Sequence, residues 1–239
     1  MPSYPLKRET LAEQVAQALI DRIYAESLKP GDSLPSTMQL ATDFDVSRPV
    51  IREALKTLEG QGIIEISNGR SAVVKPITGE ALRVFFRRAL ALEDQTLLEL
   101  LELRRGIEIQ GAILAAERRT VEELAQMKSI VNQMREVIHQ PEMYAGLDLK
   151  FHLLIASASH NRLMFYLVES IRDALHSTIM GGLRSRFSVD QLERVQSVHE
   201  EIVQHIGQGD KQATMAAMAM HFDDAIGAVF SRLASEKGG

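Results

Sequence analysis

Ser47-Arg-Pro-Val-Ile-Arg-Glu-Ala-Leu-Lys-Thr-Leu-Glu59 reads as a short helix with two kinds of side. Val50, Ile51, Ala54, Leu55 and Leu58 recur at helical spacing and belong against a small core. Arg48, Arg52 and Lys56 sit four residues apart and share another side. Ser47 is placed to cap the N-terminus, and Pro49 falls in the first turn, where its missing N–H costs nothing. A domain can hold such a helix by its apolar side while the row of cations reads DNA.

Working upstream, Leu11, Val15, Leu19 and Ile23 recur every four residues and predict a first helix from about Thr10 to Glu26. Lys29-Pro30-Gly31-Asp32 ends it with turn chemistry, and Ser33-Leu34-Pro35 is a short extended link. Ser36-Thr-Met-Gln39 fits a capping box in which Ser36 caps and Gln39 reaches back, opening a second helix that runs to about Phe44. Asp45-Val46 turns tightly into the quoted stretch, so the pair makes a helix-turn-helix. Downstream of Gly60-Gln-Gly62 the period changes. Ile63–Ile66 and Ser71–Lys75 read as strands, and Asn68-Gly69 between them is a strong hairpin signal. Helix-turn-helix plus hairpin is a winged helix over residues 1–76, with Arg70 near the wing tip.

Leu34-Pro-Ser36, Leu40-Ala41, Val46-Ser-Arg48, Arg52-Glu-Ala-Leu55, Leu58-Glu59 and Gly62-Ile63, in this order, resemble the DNA-binding domain of GntR-type transcription regulators. The resemblance implies that Arg48 and Arg52, with Ser47 and Lys56 beside them, enter the major groove. It also implies that Asn68, Gly69 and Arg70 approach the minor groove or backbone. One departure stands out. The acidic-Arg pair usual after the Pro-Ser is Thr37-Met38 here, so one expected Arg contact is missing.

Bulk charge gives no support to DNA binding. The 239 residues carry a net charge of −5. Residues 1–76 hold nine Lys and Arg against ten Asp and Glu, a net of −1 and short of the usual basic footprint. The DNA reading therefore rests on where the cations sit. Apolar residues make up 45%, enough for a proper core. Cysteine is absent, which removes disulfides, thiolate metal sites and Cys nucleophiles together. With no signal-peptide pattern and no long apolar run, the expectation is a cytoplasmic protein without a membrane partner. Trp is absent and aromatics are 5%, which disfavours stacking on single strands.

Pro76-Ile-Thr-Gly79 punctuates the chain, and residues 77–79 read as a linker. From Glu80 to Gly239 the pattern is helical throughout, with breaks at Gln140-Pro141, His160-Asn161, Gly181-Gly182 and Gly207–Asp210. It predicts an antiparallel bundle of six or seven helices, making the whole protein mainly α with one small β-hairpin.

Three of the seven histidines lie on apolar stripes of that bundle. His152 follows Asp148 by one turn. His199 stands among Leu192, Val195, Ile202 and Ile206. His221 stands among Met218, Phe222, Ala225 and Val229. One divalent ion would satisfy all three imidazoles and Asp148, and borderline metals such as Zn²⁺ or Ni²⁺ suit that donor set. Taken singly, each histidine reads as a core residue bonded to a backbone carbonyl rather than as a ligand. His139, His160, His176 and His205 share no stripe.

Asp148-x-x-Phe151-His152, Asn161-x-x-Met164, His199-Glu-x-Ile202, Gly209-Asp210, Ala213 and His221 resemble the FCD effector domain of the FadR-type branch of GntR regulators. Leu103-Arg104-Arg105-x-Ile107-Glu108 and Leu114-Ala-Ala116 resemble its early helix. The resemblance implies a metal centre of Asp148, His152, His199 and His221, with open positions for a small carboxylate effector. Arg104 is the first choice for a cation to meet that carboxylate, and Arg105 the alternative; Arg104 is also spaced to pair with Glu108. Asn161 is similar to a family loop residue near the pocket and equally suits a helix cap.

The expectation is a homodimeric regulator on a near-palindromic DNA operator. The resemblance points to repression relieved by a small organic acid. Two other readings stay open: a metal hydrolase using the Asp/His centre, and a DNA-binding regulator whose metal is purely structural.

Overall fold

The computed structural model describes residues 9–66, 71–92, 96–182 and 189–237. Ser67 to Arg70 lie outside them, and with them the expected wing contacts Asn68, Gly69 and Arg70. The chain divides into two compact units between Ala81 and Leu82, the first two residues of the helix there belonging to the first unit.

In the first unit, α1 (Leu11–Ala25) starts at a reciprocal capping box. Oγ1 of Thr10 accepts from the Glu13 N–H at 3.2 Å, and the Glu13 carboxylate accepts from the Thr10 N–H at 2.7 Å. Helix α2 (Thr37–Asp43) is capped by Ser36, which accepts from the Gln39 N–H at 3.2 Å. The expected return contact is not made, because Gln39 Nε2 donates to Asp43 at 2.7 Å instead. The turn to α3 (Arg48–Gly60) passes through Asp45 at φ +50°, a left-handed conformation that Asp tolerates. Ser47 stands at the N-cap position of α3, but its side chain makes no capping bond, and Pro49 alone marks the first turn.

Strands β1 (Ile64–Glu65) and β2 (Val73–Val74) pair antiparallel with Ile64 opposite Val74. They are shorter than the sequence pattern suggests. The stretch read as a link extends the sheet instead. Val74 N–H donates to Asp32 O at 2.9 Å and Leu34 N–H to Ala72 O at 2.7 Å, with Ser33 bridging Val73. Leu19, Leu34, Leu40, Ile51, Leu58 and Ile64 are fully buried at the centre of this unit. Each side chain of this kind contributes about 1.5–3 kcal/mol relative to exposure.

The second unit consists, among the described residues, of helices α4 (Glu80–Leu92), α5 (Thr96–Arg118), α6 (Val121–Glu136), α7 (Pro141–Ala158), α8 (Arg162–Gly182), α9 (Val189–Gln208) and α10 (Lys211–Lys237). Helix α5 is the hub and packs on α7, α8, α9 and α10. Its small residues Gly111, Ala112, Ala115 and Ala116 are buried and let neighbours approach. At Gly111 an added Cβ would stand 3.1 Å from the Met164 sulfur. Phe151, Ile155, Met127, Met134, Ile202, Ile206, Met218 and Phe222 fill the core between α6, α7, α9 and α10. Helix ends are closed individually. Thr120 and Glu123 form a capping box for α6, and Asp210 accepts from the N–H groups of Gln212 and Ala213 to start α10. Arg119 donates to the carbonyls of Ala116 and Gly207, near the ends of α5 and α9.

Candidate metal centre and nucleic-acid interface

The amphipathic pattern of α3 sorts its side chains as the spacing requires. Ile51, Ala54, Leu55 and Leu58 are buried, whereas Arg48, Arg52 and Lys56 are exposed. Lys56 lies 3.4 Å from Glu53, and among the described residues neither Arg48 nor Arg52 is held in an ion pair. Both guanidiniums are thus available to an external anion. Met38 is 61% exposed, so the position that departs from the family pattern faces solvent.

The second site lies inside the bundle. Helix α7 presents Asp148 and His152 one turn apart, α9 presents His199, and α10 presents His221. One donor atom from each of the four lies within 4.8 Å of all the others. Donors around a zinc-sized ion stand roughly 3–4 Å apart, given metal–ligand distances of about 2.0–2.2 Å. Oδ1 of Asp148 is 3.5 Å from His152 Nε2 and 3.3 Å from His199 Nε2. His152 and His199 are almost wholly buried, and both ring nitrogens of His152, Nε2 of His199 and Nδ1 of His221 make no properly directed hydrogen bond. Buried polar atoms ordinarily find a partner. Converging orphaned nitrogens beside a carboxylate therefore fit a cation.

Electrostatics prepares the same donor set. Burial, with His199 and His152 alongside, pushes the His221 imidazole well below its ordinary range; burial lowers His199 as well. Both rings are therefore neutral, as ligation needs. Burial alone would raise the Asp148 carboxyl, but His152, His199 and Arg172 together hold it well below the usual carboxylate range.

A layer of polar residues backs the ligands. Tyr144, on α7, places its hydroxyl 3.2 Å from His199 Nδ1 and 3.2 Å from Gln196 Oε1. Gln196 in turn donates to the Val131 carbonyl. Glu108, on α5, reaches His152 Nδ1 at 2.6 Å and takes Arg104 Nε at 2.7 Å. Arg172, on α8, lies 3.3 Å from Asp148 Oδ2 and 3.4 Å from both Glu108 oxygens. Arg104 is 8% exposed, with its guanidinium carbon 5.1 Å from the Phe222 ring centre.

The proposed effector contacts separate on this geometry. Arg104 belongs to the centre and makes the i,i+4 pair with Glu108. Arg105 points to the surface, where it pairs with Asp223 at 2.7 Å. Asn161 caps α8, its Oδ1 accepting from the Met164 N–H at 3.2 Å.

Sequence reading missed Arg172, Tyr144 and Gln196 and saw Glu108 only as a partner for Arg104. Signals were present. Arg172 interrupts the apolar run Val168, Ile171, Leu175, and Tyr144 stands one turn before Asp148 on the ligand stripe.

A helix-turn-helix with a β-hairpin, whose Arg48 and Arg52 are exposed and unpaired among the described residues, joined to an all-helical bundle, is the build of a DNA-binding regulator. The comparisons agree. Residues 11–74 match the family "Bacterial regulatory proteins, gntR family", and residues 99–224 match the FCD domain. The chain is 32% identical over 197 residues to the HTH-type transcriptional regulator LutR of Bacillus subtilis, covering 81% of this chain and 90% of that protein. It is 28% identical over 196 residues to the Glc operon transcriptional activator of Escherichia coli, covering 78% and 74%. The solved structure of Streptococcus agalactiae GntR superposes with a TM-score of 0.71 at 26% identity, over 91% of this chain and 99% of that one. The chain belongs to the GntR family and is a DNA-binding transcription regulator with an FCD effector domain.

Proposed function

We propose that DNA binding by this regulator is controlled by a small carboxylate bound at a divalent metal held by Asp148, His152, His199 and His221. The convergence of these four donors within 4.8 Å in the bundle core carries the reading. Zinc suits the donor set, with nickel or another transition metal as the alternative. Asp148, His152, His199 and His221 would hold the ion, and one that takes five or six ligands would accept a carboxylate oxygen beside these four donors. The ion's charge also defines the effector class. The guanidiniums of Arg104 and Arg172 balance the carboxylates of Glu108 and Asp148, so the ion's positive charge is left for an anion. Arg104, buried beside the ligands, is the cation placed to orient that anion; Arg105 and Asn161, engaged at the surface and in a helix cap, serve it less directly.

On the DNA side, Arg48 and Arg52 read the major groove with Ser47 and Lys56 at its edge, and Asn68, Gly69 and Arg70 contact the backbone or minor groove. One recognition helix reads few base pairs, so the protein acts as a homodimer on a near-palindromic operator in the cytoplasm. The effector shifts the spacing of two such helices by binding one arrangement more tightly. The regulator is read as a repressor released by its effector, although the name of the E. coli relative shows that activation occurs among similar proteins. The hydrolase reading is less well supported: Glu200, next to His199, pairs with Arg135 at 2.9 Å.

Zinc titration of chelator-stripped protein tests the site. One equivalent binding per chain, lost on His199→Ala, is expected. No saturable binding would overturn the metal reading.

A further inference from the structure

We propose that Glu108 is a positioning residue of the metal centre: its carboxylate holds the Nδ1 proton of His152 and so turns Nε2 toward the ion. This inference rests on the metal reading above and assigns a role to a residue outside the ligand set.

The two oxygens of Glu108 have divided tasks. Oε1 accepts from Arg104 Nε at 2.7 Å, and Oε2 stands 2.6 Å from His152 Nδ1, within ion-pair range though off the line of a directed hydrogen bond. Arg172 reaches both from the other side at 3.4 Å. The carboxylate side chain is 3% exposed, so it keeps its charge only through these partners. A neutral imidazole carries its proton on one nitrogen and its lone pair on the other. With Nδ1 facing an ionised carboxylate, the lone pair falls on Nε2, the nitrogen 3.5 Å from the ligand oxygen of Asp148. The other ligands lack this arrangement. His199 has a neutral partner, the Tyr144 hydroxyl, and among the described residues no carboxylate forms an ion pair with His221, as Glu108 does with His152. A carboxylate behind a metal-bound histidine fixes its orientation and raises its basicity.

The test combines histidine ¹⁵N NMR on the full-length wild-type protein, with and without zinc, and zinc affinity of wild type and Glu108→Gln by chelator competition. The expected result is a proton on His152 Nδ1 in both wild-type states, and affinity about 10–100-fold weaker in Glu108→Gln at unchanged helical circular dichroism. A purely structural Glu108 would leave the proton position and the affinity of folded protein alone. A proton on Nε2 of zinc-loaded His152, or Glu108→Gln affinity within twofold of wild type, overturns the proposal while leaving the metal reading intact. Absence of zinc binding by wild type overturns the metal reading itself and this proposal with it. If Glu108→Gln does not fold, the wild-type spectrum decides alone.

Discussion

Oδ1 of Asp148 lies 3.3 Å from Nε2 of His199, linking α7 to α9 across the bundle, while Oδ2 turns to Arg172 at 3.3 Å. The carboxylate is divided between the ligand cluster and a guanidinium. With Oδ2 on Arg172, Asp148 would have one oxygen free to hold an ion. Asp148→Asn keeps the shape and removes the charge. Zinc affinity should then fall by more than the roughly 10–100-fold typical of losing an outer partner. Competition with a coloured chelator measures it, and unchanged affinity would remove Asp148 from the ligand set.

The metal-free protein should lose stability as pH falls below the ordinary histidine value of 6.5. His221 and His199 titrate lower in the folded than in the unfolded chain, so the unfolded chain binds more protons in that window. Their cost is absent above 6.5 and grows as pH drops toward the folded values, by up to about 1.4 kcal/mol per pH unit per group. Asp148 and Glu108 act at lower pH, because their folded values lie below the ordinary carboxylate range. Thermal melts of stripped protein should show Tm dropping between pH 7 and 5.5, with a shallower slope in His221→Leu. A flat profile would contradict the burial of neutral imidazoles.

Arg52 projects from α3 into solvent and is unpaired among the described residues. If it makes a bidentate base contact, Arg52→Ala should weaken operator binding by about 1–3 kcal/mol and relax specificity at one position. Met38, also exposed, offers the converse change. Met38→Arg restores the cation that the family pattern carries there and should tighten binding and steepen its salt dependence. Gel shifts across a salt series read both, and two neutral outcomes would move the DNA interface away from α3.

Phe151 is fully buried, its ring centre 5.5 Å from that of His152 and 5.2 Å from that of His199. Phe151→Ala should cost about 3–5 kcal/mol of stability. It should also weaken zinc binding, since it frees two ligand rings. Chemical denaturation with and without zinc separates the effects; a stability loss with full zinc affinity would show that the rings are positioned without it.

Periodicity made the fold class legible. Residues four apart on α1 and α3 had to share a core, and the breaks at Gln140-Pro141 and Gly207–Asp210 had to separate helices. The inward aim of His152, His199 and His221 was legible for the same reason, whereas reading them with Asp148 as one donor set rested on the resemblance to the FCD domain. What the sequence withheld depends on neighbours from other elements. Ser47 has the right type to cap α3, yet its side chain makes no capping bond. Gln39 prefers Asp43 to the cap it was spaced for. Ser33–Leu34 joins a sheet whose other members lie forty residues away. Whether Glu108 serves Arg104, His152 or both depends on how α5 is rotated against α7 and α8, which no spacing within α5 records.

Metal-dependent coupling between effector binding and operator binding is the central claim. Operator affinity of zinc-loaded protein, followed by fluorescence anisotropy across a panel of small organic acids, tests it most directly when repeated with EDTA. The predicted result is an acid that changes affinity by tenfold or more with zinc, an effect lost with EDTA and in His199→Ala. An acid that changes operator affinity equally with and without the metal would contradict it.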